Sequence, residues 1–209
     1  MRALVICDDY WHPGVVPHEG LAPLQASGFA FDFIDDGDEW SAEKMAQYPV
    51  VVMVKSNNVT QADKRAWVTP DVEEAFRAYA ERGSGILFVH SGTVYKDFPT
   101  MRGVIGGAFV GHPPQCPVTV EPKAGHPLAA KSEPFTLKDE HYQMELDDRS
   151  ADVFLTTTSE HGSQPGGWTR SVGQGRVAVL TPGHNVEVWL HPAFQSLLAN
   201  ALRWCAKEL

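Results

Sequence analysis

Cysteine is scarce: three in 209 residues, far apart and at no zinc-type spacing. That excludes a disulfide framework and a cysteine-based metal centre, and leaves Cys7, Cys116 and Cys205 as small buried hydrophobes. Positive charge is also in deficit. Lys plus Arg number 17 against 26 Asp plus Glu, a net charge of −9 with no basic run. Sequence-independent nucleic-acid binding depends on neutralising phosphates and is excluded. No apolar run has the length of a membrane span, and residues 2–7 stop at once on Asp8 and Asp9, too short for a signal peptide. A cytoplasmic chain without a membrane partner is expected. Gly/Ser linkers, repeats and low-complexity segments are missing too, so residues 1–209 are expected to form one domain.

What is present is the composition of a globular domain, 43% hydrophobic and 21% charged. A chain this long buries roughly 70% of its unfolded surface and needs no covalent staple. Apolar runs at 3–7, 29–34, 50–54 and 86–89 are nearly continuous, as in parallel strands covered on both faces, and amphipathic stretches separate them. The spacing of Val72, Ala75, Phe76, Tyr79 and Ala80 predicts a helix over 70–82, capped by Thr69, with Pro70 in its first turn and Gly83 beyond its end. A second helix is predicted over 192–207, with His191 as its cap. Between them, 99–134 is rich in Gly, Pro and His, and 135–146, 152–158, 167–172 and 176–180 read as shorter strands of an added antiparallel edge.

Nine histidines are many for this length, and three of them share a topological position. His12 follows the first strand, His90 the fourth and His184 the late strand at 177–180. All three therefore fall at the carboxyl edge of the sheet, where open α/β folds bind ligands. Around His90 the chain breaks from strand into small polar residues, the form of a nucleophile elbow, yet Val89 stands where G-x-S-x-G needs its second residue before Ser91. Three glycines surround His112 in the stretch 106–114. Asp139, Glu140, His141 and Tyr142 group two carboxylates, an imidazole and a phenol at a strand start, suited to acid/base work or metal binding, or equally to a solvated edge. His126, His161 and His191 read as turn, loop and cap residues, His18 as solvent-side, and Trp168 and Trp189 as core.

These motifs in order resemble the ThuA-like family, named for trehalose utilisation. The resemblance rests on the strand running into His90 and Ser91, the glycine-rich stretch with His112, His126-Pro127-Leu128 and Asp139-Glu140 with Tyr142. It continues through Gly173 to Val177, Gly183-His184 and the closing stretch 192–204. The resemblance implies a class I glutamine amidotransferase-like fold, a flavodoxin-like three-layer α/β/α sandwich with extra antiparallel strands. Where an amidotransferase carries its catalytic cysteine this chain has His90, so glutaminase chemistry is not expected. What the resemblance implies instead is action on a 3-keto disaccharide or glycoside. In that reading His90 or Glu140 is the base and His184 the partner acid, with His12, Ser91, Gly107, His112, Tyr142 and Glu187 binding substrate. The alternatives are a metal-dependent hydrolase, with His90, His112 and His184 as ligands of a divalent ion such as zinc, or a non-catalytic sugar-binding module. A homo-oligomer is the general expectation for such folds.

Overall fold

A computed structural model describes residues 1–148 and 150–209 of the chain. The strands are β1 (Arg2–Ile6), β2 (Ala30–Ile34), β3 (Val50–Met53), β4 (Gly85–Val89), β5 (Gly107–Gly111), β6 (Cys116–Pro122), β7 (Phe135–Asp139), β8 (Gln143–Leu146), β9 (Asp152–Ser159), β10 (Gly162–Val172) and β11 (Gly175–Leu180). The helices are α1 (Val15–Leu21), α2 (Ala42–Met45), α3 (Pro70–Glu81), α4 (Pro99–Ile105), α5 (Val186–Leu190) and α6 (Pro192–Cys205). Nine strands form one sheet in the order β2-β1-β3-β4-β11-β10-β9-β6-β7, and β5 pairs with β8 apart from it. The first five of these are parallel and the remaining four run antiparallel. The parallel part has the flavodoxin-like order, and the antiparallel strands extend it as the sequence predicted.

The strand side chains alternate between two cores. Ala3, Val5 and Cys7 of the first strand segment face Leu197, Leu198 and Leu202 of α6 and Leu21 of α1. Leu4 and Ile6 face the other way, into a core with Phe76 and Tyr79 of α3 and Met101 and Ile105 of α4. That two-sided burial explains the continuous apolar runs. The two predicted helices form with their predicted caps: Thr69 accepts from the Val72 amide, and His191 Nδ1 from the Ala193 amide. Trp168 and Trp189 are core residues whose indole N–H groups donate to Ile105 O and Gly183 O. Among the described residues no helix is long and apolar enough to cross a membrane.

One stretch departs from expectation. Residues 135–146 are not one strand region but two strands in different sheets, with the chain leaving the main sheet at Asp139 and joining β5 from Gln143. Glu140, His141 and Tyr142 thus lie at a crossing between sheets rather than at a strand start. Asp139 causes the break. Its buried carboxylate accepts the Gly183 amide at 2.8 Å and the His184 amide at 3.0 Å, tying the end of β7 to the loop after β11.

Lys55, fully buried just beyond β3, performs the matching role on the other flank. Its ammonium donates to the carbonyls of Cys7 (3.0 Å), Asp35 (2.9 Å) and Asp8. These are the peptide oxygens left unpaired where β1 and β2 end, and a buried acceptor without a partner is costly. Replacing Lys55 by Met should strand all three and lower unfolding stability by about 2–3 kcal/mol. Urea titration would check it; a midpoint equal to wild type would refute this role.

Candidate functional site

The parallel order brings the loops after β1, β4 and β11 together, and with them His12, His90 and His184. Their ring centroids are 5.0 Å (His12–His90), 5.3 Å (His12–His184) and 5.6 Å (His90–His184) apart. The sheet crossing places Glu140 against them. One carboxylate oxygen lies 3.3 Å from His90 Nε2 and 3.2 Å from His184 Nδ1. His12, His90, Glu140 and His184 each offer one ligand-type atom, and these atoms all lie within 4.8 Å of one another.

Each ring is held from behind. His90 follows β4 with φ at +47°, left-handed backbone that aims its side chain back across the sheet edge. Gly92 makes the turn feasible, because a Cβ there would strike the carbonyl oxygen of Met53. His90 Nδ1 donates to Thr181 O at 2.8 Å, which leaves Nε2 as the free nitrogen. His12 Nδ1 donates to Asp9 Oδ1 at 2.8 Å, and the same oxygen accepts the amides of Trp11 and His12 while Oδ2 accepts the Ser56 amide. Burial alone would raise the Asp9 carboxyl, but the bonds from His12, Ser56 and Trp11 outweigh it and bring it down to about 2. Asp9 is therefore a fixed anion that leaves His12 Nε2 facing the cluster.

The electrostatics follow from the same contacts. Burial lowers the His12 pKa, helped by His90 and His184 and opposed by Asp9. His184 moves up because Glu140 stands beside it. Burial pushes Glu140 up, but the adjacent His184 and His90 rings win and hold it well below the usual carboxylate range. Burial keeps the Tyr142 phenol protonated well above its ordinary range. Yet His90 Nε2 and His184 Nδ1, both buried, make no directed hydrogen bond to Glu140 or to any other group. Two buried nitrogens without a partner, beside an ionised carboxylate and a third imidazole nitrogen that accepts from the Tyr142 hydroxyl at 3.4 Å, form a donor set suited to a divalent cation. The hydrogen bonds behind His12 and His90 are those that commonly orient metal-binding imidazoles.

Above the cluster opens a cavity of about 340 Å³, lined by His12, His184, Glu140, Tyr142, His112 and Ser56, with Trp11, Val94 and Phe109 at its sides. The Tyr142 ring stacks on His90 at 3.9 Å, and its hydroxyl is 3.4 Å from His12 Nε2. His112 stands outside the four-residue cluster, its Nε2 3.7 Å from Glu140, and its Nδ1 donates to Pro113 O at 2.8 Å. Ser91 is buried with an unpartnered hydroxyl and does not line the cavity. Gly107 is needed for the close approach of β5 to the Glu145 carbonyl in β8. Glu187 is exposed on α5 and borders a different groove, with Gln115, Lys138 and Asn185. The sequence named Asp139 as a chemical group but did not give Asp9 or Asp139 its anchoring role, and it passed over Trp11. The acidic pair Asp8-Asp9 directly after a strand, and Trp11 one residue before His12, were the available signals.

A family model described as ThuA, trehalose utilisation, matches residues 6–205. Among solved structures, a ThuA-like protein from Parabacteroides merdae superposes with a TM-score of 0.78 at 18% identity, covering 100% of this chain and 90% of that one. A second, from Bacteroides uniformis, gives 0.72 at 22% identity over 98% and 91%. A β-galactosidase from Rahnella sp. R3 gives 0.69 at 17% identity, the match spanning 96% of this chain but 31% of that one. At these identities the likeness is one of fold. No curated protein matches the sequence.

The Asp9 carboxylate makes a direct prediction. In Asp9→Ala both accepting oxygens are lost, leaving His12 Nδ1 and the amides of Trp11, His12 and Ser56 without their partner. The variant should lose about 1–3 kcal/mol of stability. The ¹⁵N imidazole spectrum should show His12 no longer fixed as its Nδ1–H tautomer; an unaltered His12 signal would refute the orienting role.

Proposed function

The chain belongs to the ThuA family, described as trehalose utilisation, and from that premise we propose that it is an enzyme of carbohydrate catabolism acting on a ketone-bearing disaccharide or glycoside. The observation that carries this reading is the convergence of His12, His90, His184 and Glu140 on one point, two buried nitrogens unpartnered, under a cavity sized for a small molecule. No cysteine lines that cavity, and Cys7, the nearest in sequence to the cluster, is buried and donates its thiol to Asp35. Acyl-enzyme chemistry on a thiol has no support.

The four clustered side chains fit a divalent cation such as zinc. When bound there it would supply a Lewis acid for the ketone oxygen of the sugar. The remaining roles belong to groups that face the cavity. His112 has its Nδ1–H committed to Pro113 O, so its Nε2 lone pair is the available base. Glu140, held far below the ordinary carboxylate range, is a poor proton acceptor and serves as fixed negative charge. Tyr142 stays protonated and offers a hydrogen-bond donor.

In the proposed reaction His112 Nε2 takes a proton from the carbon between the ketone and the glycosidic carbon. The freed electron pair moves into a carbon–carbon double bond, and the bond to the glycosidic oxygen breaks. The proton on His112 passes to that departing oxygen. Water adding across the double bond then completes a net hydrolysis, with every proton returned. A ketone is what makes the first step feasible, since it acidifies the neighbouring C–H.

Three measurements test this. Purified protein should carry about one equivalent of divalent metal, and chelation should lower the melting temperature, since a ligand of the native state stabilises it by mass action. His90→Asn tolerates the left-handed backbone and should fold, yet lose the metal and at least about a hundredfold in turnover of 3-keto-trehalose. Retained turnover in this variant would sink the site. For the base, His112→Gln should keep the metal and lower kcat by about 10²–10⁴-fold. A kcat within twofold of wild type would instead reject His112 as the proton acceptor.

A further inference from the structure

Trp11 is the most exposed large hydrophobic side chain among the described residues, 68% accessible, and it borders the cavity. An indole of that size in water is unfavourable unless something covers it. It is also held rather than loose. Its amide donates to the buried Asp9 carboxylate at 2.9 Å, the carboxylate that fixes His12. Its ring meets Tyr10 edge to face at 4.7 Å, and the Lys64 ammonium sits 3.4 Å from the centroid of the Tyr10 ring. An exposed aromatic ring with a braced backbone and a braced neighbour is pre-organised for stacking.

The cavity is polar on its floor, where His12, His184 and Glu140 gather, and apolar at Trp11, Val94 and Phe109. A pyranose has the matching character, with hydroxyls around its edge and C–H bonds on its face. The charge of the site narrows the ligand further. Neither Lys nor Arg lines the cavity, Glu140 does, and Asp9 lies behind His12. At the Trp11 end of the cavity, away from the clustered histidines, no Lys or Arg is placed to pair a phosphate on the second ring.

Resting on the function proposed above, we propose that Trp11 is the platform for the second, non-reacting ring of an uncharged disaccharide, and so selects disaccharides over single sugars. The reacting ring occupies the polar floor, and its neighbour stacks by its C–H face on the indole. The surface-exposed tryptophan is then a specificity residue rather than an accident of the loop after β1.

The test uses binding, so that it stands apart from turnover. Trehalose, glucose and trehalose 6-phosphate are titrated into ¹⁵N-labelled protein, with the Trp11 indole signal assigned from Trp11→Phe. Trehalose should shift that signal and bind more tightly than glucose and than trehalose 6-phosphate. The trehalose-over-glucose preference should fall about tenfold in Trp11→Ala and be largely restored in Trp11→Phe, as for the loss and return of one aromatic contact. An indole signal unmoved by trehalose, a preference intact in Trp11→Ala, or tighter binding of the phosphate overturns the proposal. Trehalose binding through Trp11 without turnover of 3-keto-trehalose would uphold it and reject the reaction instead.

Discussion

Parallel strands that end side by side leave a row of peptide groups without sheet partners, and in this protein buried charges meet that demand. Lys55 gathers three carbonyls where β1 and β2 end. Asp9 gathers the amides of Trp11, His12 and Ser56, and Asp139 those of Gly183 and His184. Each such charge is expensive to bury and stays because the backbone solvates it. The same bonds that settle this account also aim the histidines. Asp9 fixes a ring and a loop together, and Asp139 fixes the loop that carries His184. Structure and site are stabilised by one set of contacts.

The chain's own rhythm made much of this legible. Apolar runs, caps and the spacing of Val72 to Ala80 gave the parallel strands and the long helices. Strand order alone predicted that His12, His90 and His184 would share an edge. Glu140 was recognised as a chemical group, but its location depends on a sheet switch that no alternation in residues 135–146 announces, since β7 and β8 are each ordinary strands. Long-range bonds from Asp139 to residues 183 and 184 decide it. His112 and His12 exchange expected places for a related reason: Asp9, three residues away, turns His12 into the cluster, whereas His112 turns its Nδ1 to its own neighbour's carbonyl. Glu187 looked adjacent to His184 in sequence, yet the short helix α5 presents it outward.

The elbow after β4 keeps an unusual backbone for an unusual side chain. Histidine at φ +47° is among the few non-glycine residues in the left-handed region, and the others among the described residues, Asp8, Lys131 and Lys207, lie in loops or beyond a helix end. This strained presentation delivers an imidazole whose outer nitrogen Thr181 O leaves free. Strain of this kind persists where surrounding packing over-determines it, and β3, pressed against Gly92, supplies that packing.

The crossing from β7 to β8 has a consequence for how the molecule matures. His12 and His90 arrive with the first ninety residues, but Glu140 and His184 are delivered by chain that must travel through the separate β5–β8 pair and the whole antiparallel extension. Contacts this distant in sequence close late, because loop closure must come before they stabilise anything. The cluster of His12, His90, Glu140 and His184 therefore assembles only when both halves of the sheet have annealed. A partly folded chain presents scattered histidines, and the four side chains meet only once the last strands are in register.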